Sequence, residues 1–266
     1  YATSVIPQSP SMYHKMKWVA IPNSYLYCLN YNSSDFGGIQ REVKFSICTS
    51  FCGQSERILK RPPVNSPIFE MHEMQDSVLL QNKNTDATDV DDFYLYNKEL
   101  DEWYSLPQMK EARYGICVTV SNDTHLLYAI GGVHHSFNRE GSKYVEAYDH
   151  RVGKWQTLPS AISDATYGAG CLYKGKLYVC STVGTFENSF QIYDPVARKW
   201  EKLPMIQGME FLKMVPYENA LWAVDGHPDA SIHKYDPLLN EWCTSSILSK
   251  KMNYRMSFNV LDTVVF

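Results

Sequence analysis

The chain has 266 residues, 44% apolar and 14% aromatic, with a formal charge of −4 at neutral pH. That balance gives no electrostatic reason to expect nucleic-acid binding, and no apolar run approaches the roughly 18 residues of a membrane span. Seven Cys with no CxxC pair read as free thiols of a reducing compartment rather than as a disulfide framework.

Tyr1 opens the chain without a signal-peptide pattern. The segment therefore reads as a domain from something longer, and its expected location is cytoplasmic. The sequons at Asn32 and Asn122 are weak evidence for export, because such triplets arise often by chance. Lys17-Trp18-Val19-Ala20-Ile21-Pro22 then supplies a Trp-x-x-aliphatic-Pro spacing. Ile58-Leu59-Lys60-Arg61-Pro62 has the same spacing to Pro, with Ile in place of Trp. Asp86–Asp92 (DATDVDD) lies between two strand-like runs and lacks the central Gly and terminal Glu of a calcium loop, so it reads as a solvated loop.

From Tyr96 the pattern sharpens. YNKELDEWYSLP from Tyr96 returns as YDHRVGKWQTLP from Tyr148, as YDPVARKWEKLP from Tyr193 and as YDPLLNEWCTSS from Tyr235. In each, Asp or Asn can accept hydrogen bonds from backbone two residues on, which starts a turn between two strands. Trp103 to Trp155 is 52 residues, Trp155 to Trp200 is 45 and Trp200 to Trp242 is 42. A period in the forties, built of strands and Gly turns, signals propeller blades rather than a helical solenoid.

Inner strands are expected at Arg113–Val120 and Leu126–Ile130 (the latter ending on Gly131-Gly132), at Thr166–Tyr173 and Lys176–Cys180, and at Leu212–Val215 and Leu221–Val224. The glycine pair lets a strand end where the backbone must turn with positive φ. Trp18 to Trp103 is 85 residues, two periods, and the pieces outside Trp18 and Trp242 together make one more. The fold expected is all-β: a single six-bladed propeller over residues 1–266, with blades near 19–58, 59–103, 104–155, 156–200, 201–242 and 243–266 plus 1–18. Met252–Phe266 would give inner strands of the last blade and Ser11–Trp18 its outer strand, leaving no free sheet edge.

The string Arg-x-Gly, Leu-Tyr-x-Ile-Gly-Gly, Tyr-Asp-x-x-x-x-x-Trp-x-x-Leu-Pro resembles the kelch repeat, well over residues 100–242 and as degenerate blades elsewhere. Degenerate six-bladed domains of this sort are similar to the C-terminal halves of BTB–BACK–kelch proteins, the substrate receptors of cullin-RING ubiquitin ligases. The resemblance implies a protein-interaction module that binds a peptide or loop of a substrate protein in its central cleft and meets a cullin through a BTB domain outside this chain. A cytoskeletal, actin-associated kelch scaffold is the alternative, and a kelch-fold enzyme or small-molecule site is a third reading. Fold alone does not choose between them.

No catalytic motif stands out: there is no Gly-x-Ser-x-Gly elbow, no phosphate loop and no His-Glu-x-x-His. His134-His135 supplies too few ligands for a metal, and no spacing singles out the Tyr, Cys and His set of the kelch copper oxidase. No cofactor, metal or catalytic residue is expected. The Trp series reads as packing between blades, and Cys117, Cys171 and Cys180 as small buried hydrophobes; Cys28, Cys48, Cys52 and Cys243 are left unplaced.

In kelch receptors the contacts lie just before the Gly of the first inner strand and just after the Gly-Gly position. By that resemblance the partner-binding candidates are Arg113, Tyr114, Thr166 and Tyr167, with His134, His135 and Ser136 after Val133, and Thr185 after Val183. Glu210, Phe211, His227 and Asp229 follow in the fifth blade, and Tyr254 and Arg255 in the sixth. Arg113 and Arg255 would hold an acidic group by charge-assisted bonds, the Tyr residues would give rigid contact area, and Glu210 and Asp229 make the rim mixed in charge. The alternative for each is structural: a rim Tyr leans on the next blade, or Arg113 braces a loop.

Overall fold

The computed structural model describes residues 14–21, 25–32, 43–48, 56–63, 69–74, 77–82, 91–134, 141–181, 188–206, 211–217, 219–225, 231–247, 260–261 and 264–265, with side chains in most of these between 58 and 244. Among the described residues, five four-stranded antiparallel meanders follow one another along the chain. The first is β1 (His14–Ile21), β2 (Tyr25–Asn32), β3 (Val43–Cys48) and β4 (Glu56–Leu59). The second is β5 (Phe69–Met74), β6 (Ser77–Asn82), β7 (Asp92–Asn97) and β8 (Glu102–Ser105).

In the third, a short ladder of β9 (Arg113–Tyr114) precedes β10 (Cys117–Ser121) and β11 (Leu126–Ile130); its partner β12 (Val133–His134) precedes β13 (Val145–Asp149) and β14 (Lys154–Leu158). The fourth is β15 (Ala169–Tyr173), β16 (Lys176–Cys180), β17 (Phe190–Asp194) and β18 (Lys199–Leu203). The fifth is β19 (Phe211–Tyr217), β20 (Ala220–Asp225), β21 (Ser231–Asp236) and β22 (Glu241–Ile247), and a hairpin of β23 (Val260–Leu261) and β24 (Val264–Val265) follows.

The first strands β1, β5, β10, β15 and β19 touch in that order. Each sheet therefore puts its first strand innermost and its fourth outermost, the arrangement of a propeller. Apolar layers fill the gaps. Met74, Leu79 and Phe93 of the second sheet meet Val118, Leu127 and Trp155 of the third. Tyr128 and Ile130 meet Leu177, Val179 and Trp200, and Tyr178 and Phe190 meet Leu221 and Tyr235.

The repeated phrase builds one device four times over. Tyr96, Tyr148, Tyr193 and Tyr235 pair across the outer hairpin with Trp103, Trp155, Trp200 and Trp242. The ring centroids lie 5.2, 5.4, 5.0 and 5.1 Å apart. Asn97, Asp149, Asp194 and Asp236 each accept a backbone N–H two residues on, at 3.0, 2.9, 2.9 and 2.8 Å, which starts the turn as the sequence predicts. The turn closes on a residue of positive φ: Asp101, Gly153, Arg198 or Asn240.

Each indole Nε1 then donates to a carbonyl of the preceding sheet. Trp103 reaches Lys60 O, Trp155 reaches Pro107 O, Trp200 reaches Pro159 O and Trp242 reaches Pro204 O, at 2.7–2.9 Å. The Trp series does pack blade against blade, and the Leu-Pro end of each repeat is the acceptor for the next repeat's indole.

Three expectations change. His14–Ile21 pairs with Tyr25–Asn32 in full register, so Trp18 sits in a first strand, and Ser11–Trp18 is not the outer strand of a last blade. The indole acceptor Lys60 takes the place of Pro107, which puts Glu56, not Ile58, at the Trp position; Ile58 is 66% exposed on the strand's outward face. Thirdly, Arg113–Val120 is not one continuous strand. Gly115, at φ +62°, turns the chain between β9 and β10, and Tyr167, at φ +49°, likewise precedes β15. Most of Met252–Phe266 lies outside the described residues.

Candidate functional site at the loop end of the sheets

In a meander, the link between second and third strands and the link from the fourth strand to the next sheet leave from the same end. Loops on a rigid scaffold are where binding residues concentrate, which makes this shared loop end the candidate site. In the third and fourth sheets it is held by backbone bonds: Gly131 N to Tyr144 O at 2.9 Å, Ser142 N to Gly132 O at 2.8 Å and Ala161 N to Lys143 O at 2.8 Å. Gly131 and Gly132 have φ of +65° and +91°, as the glycine pair predicts. A Cβ on Gly131 would stand 2.5 Å from Ala165 O, so the glycine also admits the incoming link of the next sheet.

Arg113 does not face the cleft. Its guanidinium is wholly buried, with Nη2 2.9 Å from Glu146 Oε2 and Nη1 donating to Gly131 O and, at 3.0 Å, to Tyr144 O. Glu146 in turn accepts Lys110 N at 2.8 Å and Glu111 N at 3.4 Å. Burial pulls the guanidinium below its ordinary pKa, and the hydrogen bond to Glu146 opposes that shift. Arg113 thus braces a loop.

The fourth sheet repeats the brace with a neutral residue. Gln191 Oε1 accepts Ile162 N at 3.0 Å and Ser163 N at 3.3 Å, while its Nε2 donates to Ser163 O at 2.9 Å. Glu146 and Gln191 both stand two residues before the Tyr of the repeat. The motif scan passes over them, although a polar residue at that place in an apolar strand is a signal available in the sequence.

Thr166 is also buried; its Oγ1 donates to Gly132 O at 3.1 Å. Tyr114 is buried beside Val133 in the β9–β12 ladder, where His134 pairs with Arg113 and is half-buried. Tyr167 is different. It is 41% exposed, its N–H donates to Gly115 O at 2.8 Å, and its ring covers Gly115 of the neighbouring sheet. Of the predicted residues with described side chains, the structure brings Tyr167 and His134 to the surface. His135, Ser136, Thr185, Glu210, His227, Asp229, Tyr254 and Arg255 lie outside the described residues, and Phe211 is described only as the first residue of β19.

Cys117, Cys171 and Cys180 are buried and Cys243 is exposed. Burial pushes the Cys171 thiol well above its usual value and the Cys180 thiol up to about 12. Among the described residues no group of three or more metal-ligating side chains gathers, and no helix is long and apolar enough to cross a membrane.

Residues 112–161 match the family described as Kelch motif. Kelch-like protein 23 of Mus musculus is 30% identical over 178 residues, 64% of this chain and 30% of the relative. Kelch repeat and BTB domain-containing protein 8 of Homo sapiens is 30% identical over 162 residues, 57% of this chain and 25% of the relative. A putative F-box/kelch-repeat protein of Arabidopsis thaliana is 24% identical over 174 residues, 65% of this chain and 48% of the relative. The aligned regions thus span under half the length of each of these relatives. With the blade-to-blade indole bonds and the positive-φ glycine pair, these matches make the chain a kelch-repeat propeller, resembling the kelch-repeat parts of the kelch-like and BTB relatives.

Proposed function

We propose that the loop end captures a peptide or loop of a partner protein, without catalysis, as the substrate-recognition part of a cytoplasmic cullin-RING ubiquitin ligase adaptor. The cleft would sit at the mouth of a six-bladed ring, with the sixth blade drawn from the segments outside the five sheets. Support for capture comes from Tyr167: an aromatic side chain left 41% exposed on a backbone held by its N–H to Gly115 O and by the hydroxyl of the preceding Thr166 to Gly132 O. Rigid aromatic area on a fixed support is what protein contacts use most. Support for the adaptor role is the BTB domain in one relative's name.

The test is affinity capture from cells with the full-length protein, wild type against Tyr167→Ala. Loss of a common set of partners in the variant, with a cullin among the wild-type proteins recovered, supports the proposal. Recovery of the same partners by both would remove Tyr167 from the site, and a partner set without a cullin would remove the ligase role. Arg113→Ala is unsuitable as a probe, because it breaks the brace.

A further inference from the structure

The hairpin turns leave the sheets at the end away from the loop end, and they carry their own pattern of charge. In the third sheet, turns 121–126 and 149–154 hold two acids, Asp123 and Asp149, and two bases, Arg151 and Lys154. In the fourth, turns 173–176 and 194–199 hold four bases, Lys174, Lys176, Arg198 and Lys199, against Asp194 alone. The outer turn of the fifth has Asp236 and Glu241 and no base. Lys176 Nζ reaches Asp194 Oδ2 at 3.0 Å, which joins the two turns of the fourth sheet, and Lys199 Nζ lies 3.4 Å from Glu201 Oε1. Lys174 and Arg198 have no carboxylate partner among the described residues.

Both of these cations occupy backbone that suits them poorly. Lys174 and Gly175, at φ +49° and +72°, form a two-residue hairpin loop, where Asn-Gly is the favoured pair. Arg198, at φ +54°, closes the outer turn where the other sheets have Asp101, Gly153 and Asn240. Left-handed backbone is easy for Gly and tolerable for Asn or Asp. Asp101 and Asn240 also accept the hydroxyl of the repeat Tyr, at 2.7 and 2.6 Å. A guanidinium only donates, so Arg198 cannot do the same for Tyr193. The fold by itself would favour Asn at both places, and departures from local preference of this kind are expected at functional surfaces.

The platform is fixed. Asp194 Oδ1 accepts Val196 N at 2.9 Å and Ala197 N at 3.0 Å, and Lys174 Nζ stands 5.0 Å from the centre of the Tyr173 ring. Val196, in the same turn as Arg198, is 95% exposed. Carboxylates suit Arg198 and Lys174 through charge-assisted bonds, and an aliphatic side chain suits Val196. A nucleic-acid strand needs a basic track with stacking platforms, whereas the outer turn of the next sheet is acidic.

We propose that this corner of the fourth sheet docks an acidic segment of a partner protein, with Asp or Glu on either side of an aliphatic residue. The surface lies away from the loop end, so the inference stands apart from peptide capture there.

The test pans the full-length protein against immobilised nonapeptide sets with Leu at the centre, Glu, Gln or Lys fixed on both sides of it, and the other positions randomised. The Glu set should be retained about tenfold or more over the Gln set, the scale of one charge-assisted hydrogen bond. Lys174→Asn/Arg198→Asn should remove that preference while the thermal melt stays level or rises, because Asn fits both backbones. Equal retention of the Glu and Gln sets, or a Glu preference that survives the double change, overturns the assignment. A thymidine decanucleotide retained as well as the Glu set, and lost with the double change, overturns the protein partner in favour of a nucleic acid.

Discussion

Arg113 Nη2 lies 2.9 Å from Glu146 Oε2, and neither side chain has any exposed surface. The pair ties β9, just ahead of the third sheet's inner strand, to that sheet's third strand β13 and, through Lys110 N and Glu111 N, to the link arriving from the second sheet. Removing one partner strands the other as a buried charge, which costs about 3–5 kcal/mol. Arg113→Met and Glu146→Gln are each expected to lose stability on that scale in urea unfolding. The double change Arg113→Met/Glu146→Gln should lose clearly less than the sum, with a coupling of about 1–3 kcal/mol. Additive losses would mean that the two residues act separately.

The indole bonds make a second, separable contribution. Trp200 is buried, and its Nε1 donates to Pro159 O at 2.9 Å across the sheet junction. Trp200→Phe keeps most of the apolar contact and leaves that carbonyl unpaired, at a cost of about 1–3 kcal/mol. Trp200→Ala also opens a cavity and should cost about 3–5 kcal/mol. Trp242, partly exposed, should lose less on the Phe change because water can reach Pro204 O. Equal unfolding midpoints for Trp200→Phe and wild type would show that the indole bond contributes nothing.

The outer hairpins were legible because their chemistry is local. Asp or Asn at the turn start, Trp six residues later and Leu-Pro after it are set by one hairpin and one neighbour, so a single repeat carries the information. The inner strands were read less well. Gly115 and Tyr167 break them for reasons of φ that do not show in an apolar alternation. Arg113 was misread for a different reason: whether an Arg near a mouth faces solvent depends on Glu146, 33 residues away. The first sheet lacks a Trp at its outer strand, so a spacing rule slid by two residues to Ile58 and, at Trp18, onto the wrong strand.

The thiols give a chemical check on the sheet cores. Burial raises the thiol pKa of Cys171 and Cys180, so neither offers a thiolate at neutral pH, and the thiolate is the reactive form. Brief iodoacetamide treatment of the native protein, followed by peptide mass spectrometry, should label Cys243 and spare Cys117, Cys171 and Cys180. All four should label in urea. Native labelling at Cys171 would contradict the packing of the fourth sheet against the fifth.

Acid should weaken one turn in a defined window. The Arg151 guanidinium, at 2.8 and 3.0 Å from its two oxygens, holds the Asp149 carboxyl at about 2. An unfolded Asp titrates near ~3.9, so the folded value is depressed. The contribution is therefore fully present above that unfolded value and is lost as pH falls through about 2. Arg151→Ala returns Asp149 towards its ordinary value while leaving the backbone bond from residue 151. The urea midpoint of wild type should exceed that of Arg151→Ala at pH 6, and the gap should close as pH falls from about 4 to 2. Every other carboxylate titrates alike in both proteins, so the closing gap reports this pair alone; a gap that stays constant to pH 2 would mean that the pair gives the fold no pH dependence.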